Sequence, residues 1–552
     1  MWRNRHSGFL ILFVILIFLN VAYGRKAPNI VFILADDLGW HDVGFHGSEI
    51  KTPNIDKLAY EGVILNNYYV QPICTPTRGA IMSGKYPIHT GLQHYVIAGS
   101  QPYGLPLSVT TLPQHLQALG YNTHMVGKWH LGLFKKDYLP ENRGFESHFG
   151  YYMGLSDYFD HYSEDRYFGY DLHYNGETAW NYSEVYSTEL YTRHAENIIR
   201  SHNQSKPLFL YLAHQAVHAG NAGDPIQAPQ EYIDRFPYIK NVPRRMFAGV
   251  VSALDDSVGA VYKALQDAKM ADNTIIIFST DNGGPTDHYD QNAACNWPLK
   301  GNKNTLWQGG VRGVGLVHSP LISNPGRVVN GMVHVVDWLP TLLQAAKGEG
   351  LKPQSQRDEN DSDLDLDGID MWAEISGKSG IDKKDAWPRN EVLLNIDPVD
   401  KFGGIIVGDY KLVYGNVPTS GWYPPPDKSA DDVDGETQKV NLNSPAENIL
   451  FFRPEVQEPE VKSVYGKPIS IECGLMPLNA TENCQPQKRP CLFDLSSDPC
   501  EYHNLASEFP DVVIKLQDRL AKYALTMVPP GNKPEDPRGN PQLNGGVWKP
   551  WM

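Results

Sequence analysis

Residues 29–37 read NIVFILADD, an apolar run that stops at two adjacent aspartates. A run this short, rich in Ile, Val and Phe and without alternation, suits a parallel strand covered on both faces. Two further runs have the same build, PLFLYLAHQAVH at 207–218 and NTIIIFSTDNGG at 273–284. Helical patterns lie between them, in TPNIDKLAYEGV (52–63), TTLPQHLQALG (110–120) and MFAGVVSALDDSVGAVYKALQDA (246–268). Alternating strands and helices predict a doubly wound α/β sheet. Such sheets bind ligands beyond the carboxyl ends of their strands. Asp36, Asp37, His218, Asp281 and Asn282 all fall at such ends.

Downstream, EVLLNID (391–397) and FGGIIVGDYKLVYG (402–415) read as strands, the second turning at Gly408-Asp409 like a hairpin. They predict a smaller domain on an antiparallel sheet. The chain then divides into a leader (1–24), a large α/β domain (25–390) and the C-terminal domain (391–552). The acidic tract EGLKPQSQRDENDSDLDLDGID (349–370) does not match an EF-hand loop, which needs a Gly at its sixth position and a closing Glu. It reads as a solvated surface loop.

The leader, MWRNRHSGFLILFVILIFLNVAYG, has Arg3 and Arg5, an apolar run and small residues before a cleavage point after Gly24. That is the pattern of a secretory signal peptide. No other stretch is apolar enough to span a bilayer, so the mature chain is expected to be free of the membrane, in the secretory pathway or beyond it. A net charge of −15 over 552 residues, with a pI near 5.7, argues against nucleic acid as a partner. The 30 tyrosines and 12 tryptophans suit either carbohydrate handling or a large aromatic core. Sequons at Asn181, Asn203, Asn360 and Asn479 predict a glycoprotein. Cys473, Cys484, Cys491 and Cys500 cluster and predict two disulfides, Cys473–Cys484 with Cys491–Cys500 being one of three pairings. Cys74 and Cys295 are left over and could pair with each other.

The acidic pairs Asp36-Asp37 and Asp281-Asn282 form an all-oxygen set, which suits Ca²⁺ or Mg²⁺ rather than zinc. In CTPTR (74–78), Pro76 suits the first turn of a helix, and Arg78 lies four residues from Cys74 on the same face. A helix N-terminus and an arginine would lower a thiol's pKa, so a cysteine nucleophile is one expectation. A hard, oxygen-bound cation is an odd companion for it. In THMVGKWHLG (123–132), Lys128 and His130 would share a face of an extended segment while Trp129 points away. With Arg78, His218 and Lys303 they make a set suited to an anion with several oxygens.

CTPTR also fits the sulfatase signature Cys-x-Pro-Ser/Thr-Arg. TGLQH (90–94), RGFESHFGY (143–151), NWPLKGNKNTLWQGGVRGVG (296–315) and CLFDLSSDPCE (491–501) extend the match. Over nearly the whole mature chain the sequence resembles the sulfatase family, nearest to its arylsulfatase B (N-acetylgalactosamine-4-sulfatase) members. The resemblance implies an alkaline-phosphatase-like doubly wound sheet, mixed or parallel, in a catalytic domain at 25–390. It implies that Cys74 is converted during export to Cα-formylglycine by the formylglycine-generating enzyme. One Ca²⁺ would be bound by Asp36, Asp37, residue 74, Asp281 and Asn282. Arg78, Lys128, His130, His218 and Lys303 would line the sulfate pocket. The hydrated aldehyde would attack sulfur, His218 or Lys303 would serve the leaving oxygen, and His130 would assist the return to the aldehyde. The implied substrates are aryl sulfates or sulfated carbohydrate, chiefly 4-sulfated N-acetylgalactosamine of glycosaminoglycans, in the lysosome or outside the cell. Loops near 155–180 and 219–245 would set the choice. SGKY (83–86) departs from the family's commoner Thr-Gly-Arg-Tyr, so Lys85 lacks the guanidinium fork. Two rival readings are a phosphate-ester hydrolase of the same superfamily and a non-enzymatic glycan-binding protein on this scaffold.

Overall fold

A computed structural model describes residues 26–347, 365–379, 387–427 and 468–552. The leader, Asn360 and most of the acidic tract lie outside the described residues. Asn181, Asn203 and Asn479 are exposed.

The strands of the main sheet are β1 (Asn29–Ala35), β2 (Val63–Tyr69), β3 (Asn122–Lys128) and β4 (Ser147–Tyr151). A small pair, β5 (Tyr162–Glu164) and β6 (Phe168–Tyr170), stands apart from it. The main sheet continues with β7 (His173–Tyr174), β8 (Glu177–Thr178), β9 (Leu208–Ala213), β10 (Thr274–Thr280), β11 (Gly315–His318) and β12 (Arg327–His334). Its ten strands run in the order β12-β2-β11-β10-β1-β9-β3-β4-β7-β8. The centre, β10-β1-β9-β3-β4, is parallel throughout. β11 is antiparallel to both its neighbours, which makes the sheet mixed. Every residue of β1, β9 and β10 is buried, as expected of strands covered on both faces.

Helices cover both sides. α1 (Pro53–Glu61), α4 (Ser187–Ser201) and α5 (Val242–Asp267) form one packed group. α2 (Cys74–Ser83), α3 (Leu112–Ala118) and α6 (Trp338–Lys347) form the other. The starts follow from local chemistry. Asn241 caps α5 by accepting from Arg244 N at 3.0 Å, with Pro243 in the first turn. Thr111 and Gln114 make a capping box at α3.

A second sheet holds β13 (Glu391–Asp397), β14 (Phe402–Val407), β15 (Tyr410–Gly415) and β16 (Cys491–Asp494), all antiparallel. β14 and β15 turn at Gly408, φ +58°, the hairpin expected from Gly-Asp. α7 (Pro510–Thr526) packs on this sheet. The sheet's opposite face, with Val392, Leu394, Ile406 and Val413, meets Leu306, Trp307 and Val311, so the loop that carries Lys303 is braced by the second sheet.

Four expectations are corrected. The disulfides are Cys473–Cys500 and Cys484–Cys491, nested rather than consecutive. β16 runs along β15 from Cys491, leaving the Cα atoms of Cys484 and Cys491 5.6 Å apart and those of Cys473 and Cys500 5.4 Å apart, both within bridging range. Cys74 and Cys295 do not pair; both are free and buried. His218 does not end a strand, because β9 stops at Ala213. The described end of the acidic tract is not simply solvated: Asp367 Oδ2 accepts from Tyr86 N and bonds His89 Nδ1, each at 2.7 Å.

Candidate active site

The site lies beyond the carboxyl ends of the parallel strands. β1 delivers Asp36 and Asp37, β10 delivers Asp281 and Asn282, and β3 ends on Lys128. α2 begins with Cys74. Its threonines hold that start in place. Thr77 Oγ1 accepts from Gln71 N at 2.9 Å, and Thr75 Oγ1 donates to the His130 carbonyl at 3.2 Å while accepting from Ile97 N at 3.2 Å.

Arg78 Nη2 lies 2.8 Å from Asp281 Oδ2 and 3.3 Å from Asp36 Oδ2, and Nη1 donates to the Lys128 carbonyl at 3.2 Å. Lys128 Nζ is 2.6 Å from Asp36 Oδ2. Lys303 Nζ is 2.8 Å from Asp37 Oδ2, 2.8 Å from Asp290 Oδ2 and 3.2 Å from His218 Nε2. His218 Nδ1 donates to the Ala219 carbonyl at 2.7 Å, which leaves Nε2 as the nitrogen facing the site. Lys128 and His130 do reach one site, but not by strand alternation. His130 has φ +57°, so the backbone turns there, and Trp129 points away to donate to the Tyr138 carbonyl. These contacts bring Asp36, Asp37, Arg78, Lys128, His218, Asp281 and Lys303 together. Lys85 is not among them; it pairs with Asp365 at 2.6 Å.

The thiol expectation is overturned. Burial pushes the Cys74 thiol well above its ordinary pKa, and Lys128 only partly opposes that. Arg78 does not activate it, because its guanidinium is taken by Asp281 and Asp36. Cys74 Sγ instead lies 3.7 Å from Asp36 Oδ1. Cys295 is equally unreactive, its thiol pushed up by burial. Burial, then Lys303, lowers His218 to about 4; burial, then Lys128, holds His130 well below the usual histidine range. Both rings are neutral at physiological pH.

The carboxylates are crowded. Burial, then the charge of Asp281, raises Asp36 to about 8 against the pull of Lys128 and Arg78. Asp36, Asp37, Cys74 and His218 offer ligand atoms all within 4.8 Å of one another. Asn282 Nδ2 donates to Asp37 Oδ1 at 2.7 Å, and its Oδ1 is buried without a hydrogen-bond partner among the described residues. An orphaned buried oxygen beside three carboxylates is an unstable arrangement unless a cation joins it. Asp36, Asp37, Asp281 and Asn282 offer oxygens, so those four fit a hard divalent ion.

A cavity of about 510 Å³ opens onto Cys74, His130, His218 and Lys303. Leu155, Glu164 and Asp165 line it together with Ala219, Gly220, Ala222 and Pro225, from the two loops expected at the rim, which Glu164 N joins by donating to Asn221 Oδ1 at 2.9 Å. Tyr95 stands at the mouth, 52 % exposed. Beyond Tyr95 a second cavity of about 320 Å³ reaches Asn395 and Asp397 of β13 and Lys401 and Asn416 of the smaller sheet's loops. Sequence reasoning missed Asp290 and also Tyr95, although Tyr95 directly follows TGLQH (90–94). Asp290 lies in TDHYDQN (286–292), directly after the Asp-Asn-Gly-Gly that was read as metal-binding.

The Sulfatase family profile matches residues 28–348. Mouse arylsulfatase J is 42 % identical over 550 residues, covering 96 % of this chain and 81 % of that protein. Human N-acetylgalactosamine-6-sulfatase is 30 % identical over 351 residues, 60 % of this chain and 64 % of that one. The solved structure of Ps i-CgsB in complex with k-i-k-neocarrahexaose superposes with a TM-score of 0.69 at 27 % identity, covering 94 % of this chain and 98 % of that chain. The two paired acidic strand ends, the Cys-Thr-Pro-Thr-Arg helix start and these matches lead to one conclusion: the chain belongs to the sulfatase family of sulfuric ester hydrolases.

Proposed function

We propose that this enzyme removes the 4-sulfate of N-acetylgalactosamine units, using Cα-formylglycine made from Cys74 and one Ca²⁺ held by Asp36, Asp37, Asp281 and Asn282 with residue 74. The observation that carries the reading is Cys74 itself. A thiol whose pKa is pushed far up, at the centre of the site and 3.7 Å from a carboxylate, is useless as a thiolate but well placed as a precursor. Charge supports the metal. Arg78, Lys128 and Lys303 face Asp36, Asp37, Asp281 and Asp290, a net of −1 with every group ionised. A divalent ion turns that to +1, the sign that attracts a singly charged sulfate ester. Hexosamine is supported by the relative named N-acetylgalactosamine-6-sulfatase, and a saccharide generally by the neighbour bound to k-i-k-neocarrahexaose.

The hydrated aldehyde would supply a hydroxyl nucleophile for sulfur, and Ca²⁺ would polarise the sulfate oxygens. Lys128 and Lys303 would hold those oxygens, and Arg78 would hold Asp36 and Asp281 in position. Lys303 would donate to the leaving oxygen, with neutral His218 relaying the proton through Nε2. His130, also neutral, would take the proton of the second hydroxyl of residue 74, whose return to the aldehyde would release the sulfate. The 25–390 portion would be the catalytic domain and 391–552 the smaller one. Maturation would need the formylglycine-generating enzyme during export, which places the working protein in the lysosome or outside the cell. Among the described residues no helix is long and apolar enough to cross a membrane.

The test is peptide mass spectrometry on residue 74 from protein made in an exporting cell, alongside assays on 4-sulfated, 6-sulfated and phosphorylated N-acetylgalactosamine. Formylglycine and turnover of the 4-sulfate are expected, and Cys74→Ser should lose about 10⁴-fold in rate or more. An intact thiol overturns the mechanism; preference for the 6-sulfate overturns the regiochemistry.

A further inference from the structure

Asp290 stands where the proposed mechanism has no use for it. Its Oδ2 is 2.8 Å from Lys303 Nζ, the ammonium that also touches Asp37 and His218. Its side chain is 37 % exposed and lines the cavity. The backbone goes out of its way to put it there: Asp287, His288, Asp290 and Gln291 have φ of +52°, +62°, +52° and +53°. Left-handed conformations at non-glycine residues persist only where surrounding structure holds them, and they cluster at ligand sites. Burial works against its charge, yet Lys303 and then His218 keep its carboxyl below the usual range, so it is an anion and not a proton donor.

The cavity beyond the sulfate pocket shares that sign. Glu164 and Asp165 line it with Asp290, and among the described residues its one lysine or arginine is Lys303, already engaged by two carboxylates. Tyr95 and Tyr289 supply ring faces and hydroxyls at the same mouth. Such a lining accepts hydrogen bonds from sugar hydroxyls and repels a second sulfate or a carboxylate.

Building on the hydrolase reading above, we propose that Asp290 is a specificity-determining residue that accepts a hydrogen bond from a free hydroxyl near the scissile ester. With Glu164 and Asp165 behind it, it restricts the enzyme to sugars that carry one sulfate and no other anion on the reacting ring. Like charges brought together in a partly desolvated pocket disfavour binding by about 10- to 100-fold.

The experiment compares kcat/KM of the mature protein on N-acetylgalactosamine 4-sulfate, 6-sulfate and 4,6-disulfate, with p-nitrophenyl sulfate as a reference. The better monosulfate should exceed the disulfate by at least about 10-fold. Asp290→Asn keeps an acceptor but removes the charge, and should narrow that ratio several-fold; raised salt should narrow it in the wild type. The double variant Glu164→Gln, Asp165→Asn, which leaves Lys303 untouched, should narrow it in the same direction. A residue that only positioned Lys303 would, when changed, slow both substrates equally and leave the ratio alone. Equal turnover of disulfate and monosulfate by the wild type, or an unchanged ratio in both variants, overturns the proposal. Failure on every ester, p-nitrophenyl sulfate included, overturns the hydrolase reading and this proposal with it.

Discussion

Arg78 binds both halves of the site. Its guanidinium spans Asp281, from β10, and Asp36, from β1, while holding the carbonyl at the end of β3. A lysine there could not fork in this way. A residue-scale prediction can be made well away from this cluster. His214 is buried, with Nε2 2.9 Å from Ser257 Oγ and Nδ1 without a partner among the described residues. Burial lowers it from 6.5 to about 3. The unfolded chain therefore takes up a proton near pH 6.5 that the folded one refuses until near pH 3. The stability margin it permits is present above pH 6.5 and is lost as pH falls toward 3, by about 1.4 kcal/mol per unit. Urea titrations at neutral and mildly acidic pH should show wild type losing ground to His214→Gln on acidification. A gap independent of pH would mean that the folded protein protonates His214 readily.

The element that positions Lys128 is the contact of β9, β3 and β4. Gly127 has φ +101°, and a Cβ there would lie 1.8 Å from the Ala213 carbonyl oxygen. At Gly150, on β4, a Cβ would lie 2.1 Å from the Gly127 carbonyl oxygen. Gly120 has φ +87° with nothing within 4 Å, so a side chain there would meet backbone strain without crowding. Gly120→Ala should then cost about 1 kcal/mol. Gly127→Ala should cost about 3 kcal/mol or more, and should abolish turnover by displacing Lys128. Denaturant titration of the two variants checks this, and equal costs would refute the crowding. At this scale the long buried elements were legible: β1, β9 and β10 lie within the runs read from the sequence, and α5 starts four residues before the run read at 246–268. β7 and β8, two residues each, were not, because no pattern has room to show in them.

Across the whole molecule, the crowded carboxylates would make a bound cation part of the fold. If Ca²⁺ binds folded protein alone, saturation at a hundred times its Kd adds about 2.7 kcal/mol. Removing it with EGTA should lower the unfolding midpoint by roughly 2–5 °C, restored by Ca²⁺ and independent of any activity readout. An unchanged midpoint would count against the metal. The acidic surface, −15 overall, agrees in sign with the acidic cavity lining and should repel polyanionic chains at low salt.

Local pattern was enough for the class of fold. Runs such as NIVFILADD can be satisfied only inside a covered sheet, and their polar ends then have to gather at one edge. The roles suggested for Asp36, Asp37, Cys74, Arg78, Lys128, His130, His218, Asp281, Asn282 and Lys303 rested on motif resemblance, and tertiary structure brought those residues together. It alone decided what depends on distance in space. It paired Cys484 with Cys491, because β16 returns along β15. It made Cys74 a protonated thiol, because burial and nearby carboxylates outweigh a helix N-terminus and an arginine committed elsewhere. It brought Asp290 onto Lys303 through a left-handed loop that no periodicity announces. Sequence spacing reports which residues share an element; which charges face one another is a property of the folded chain.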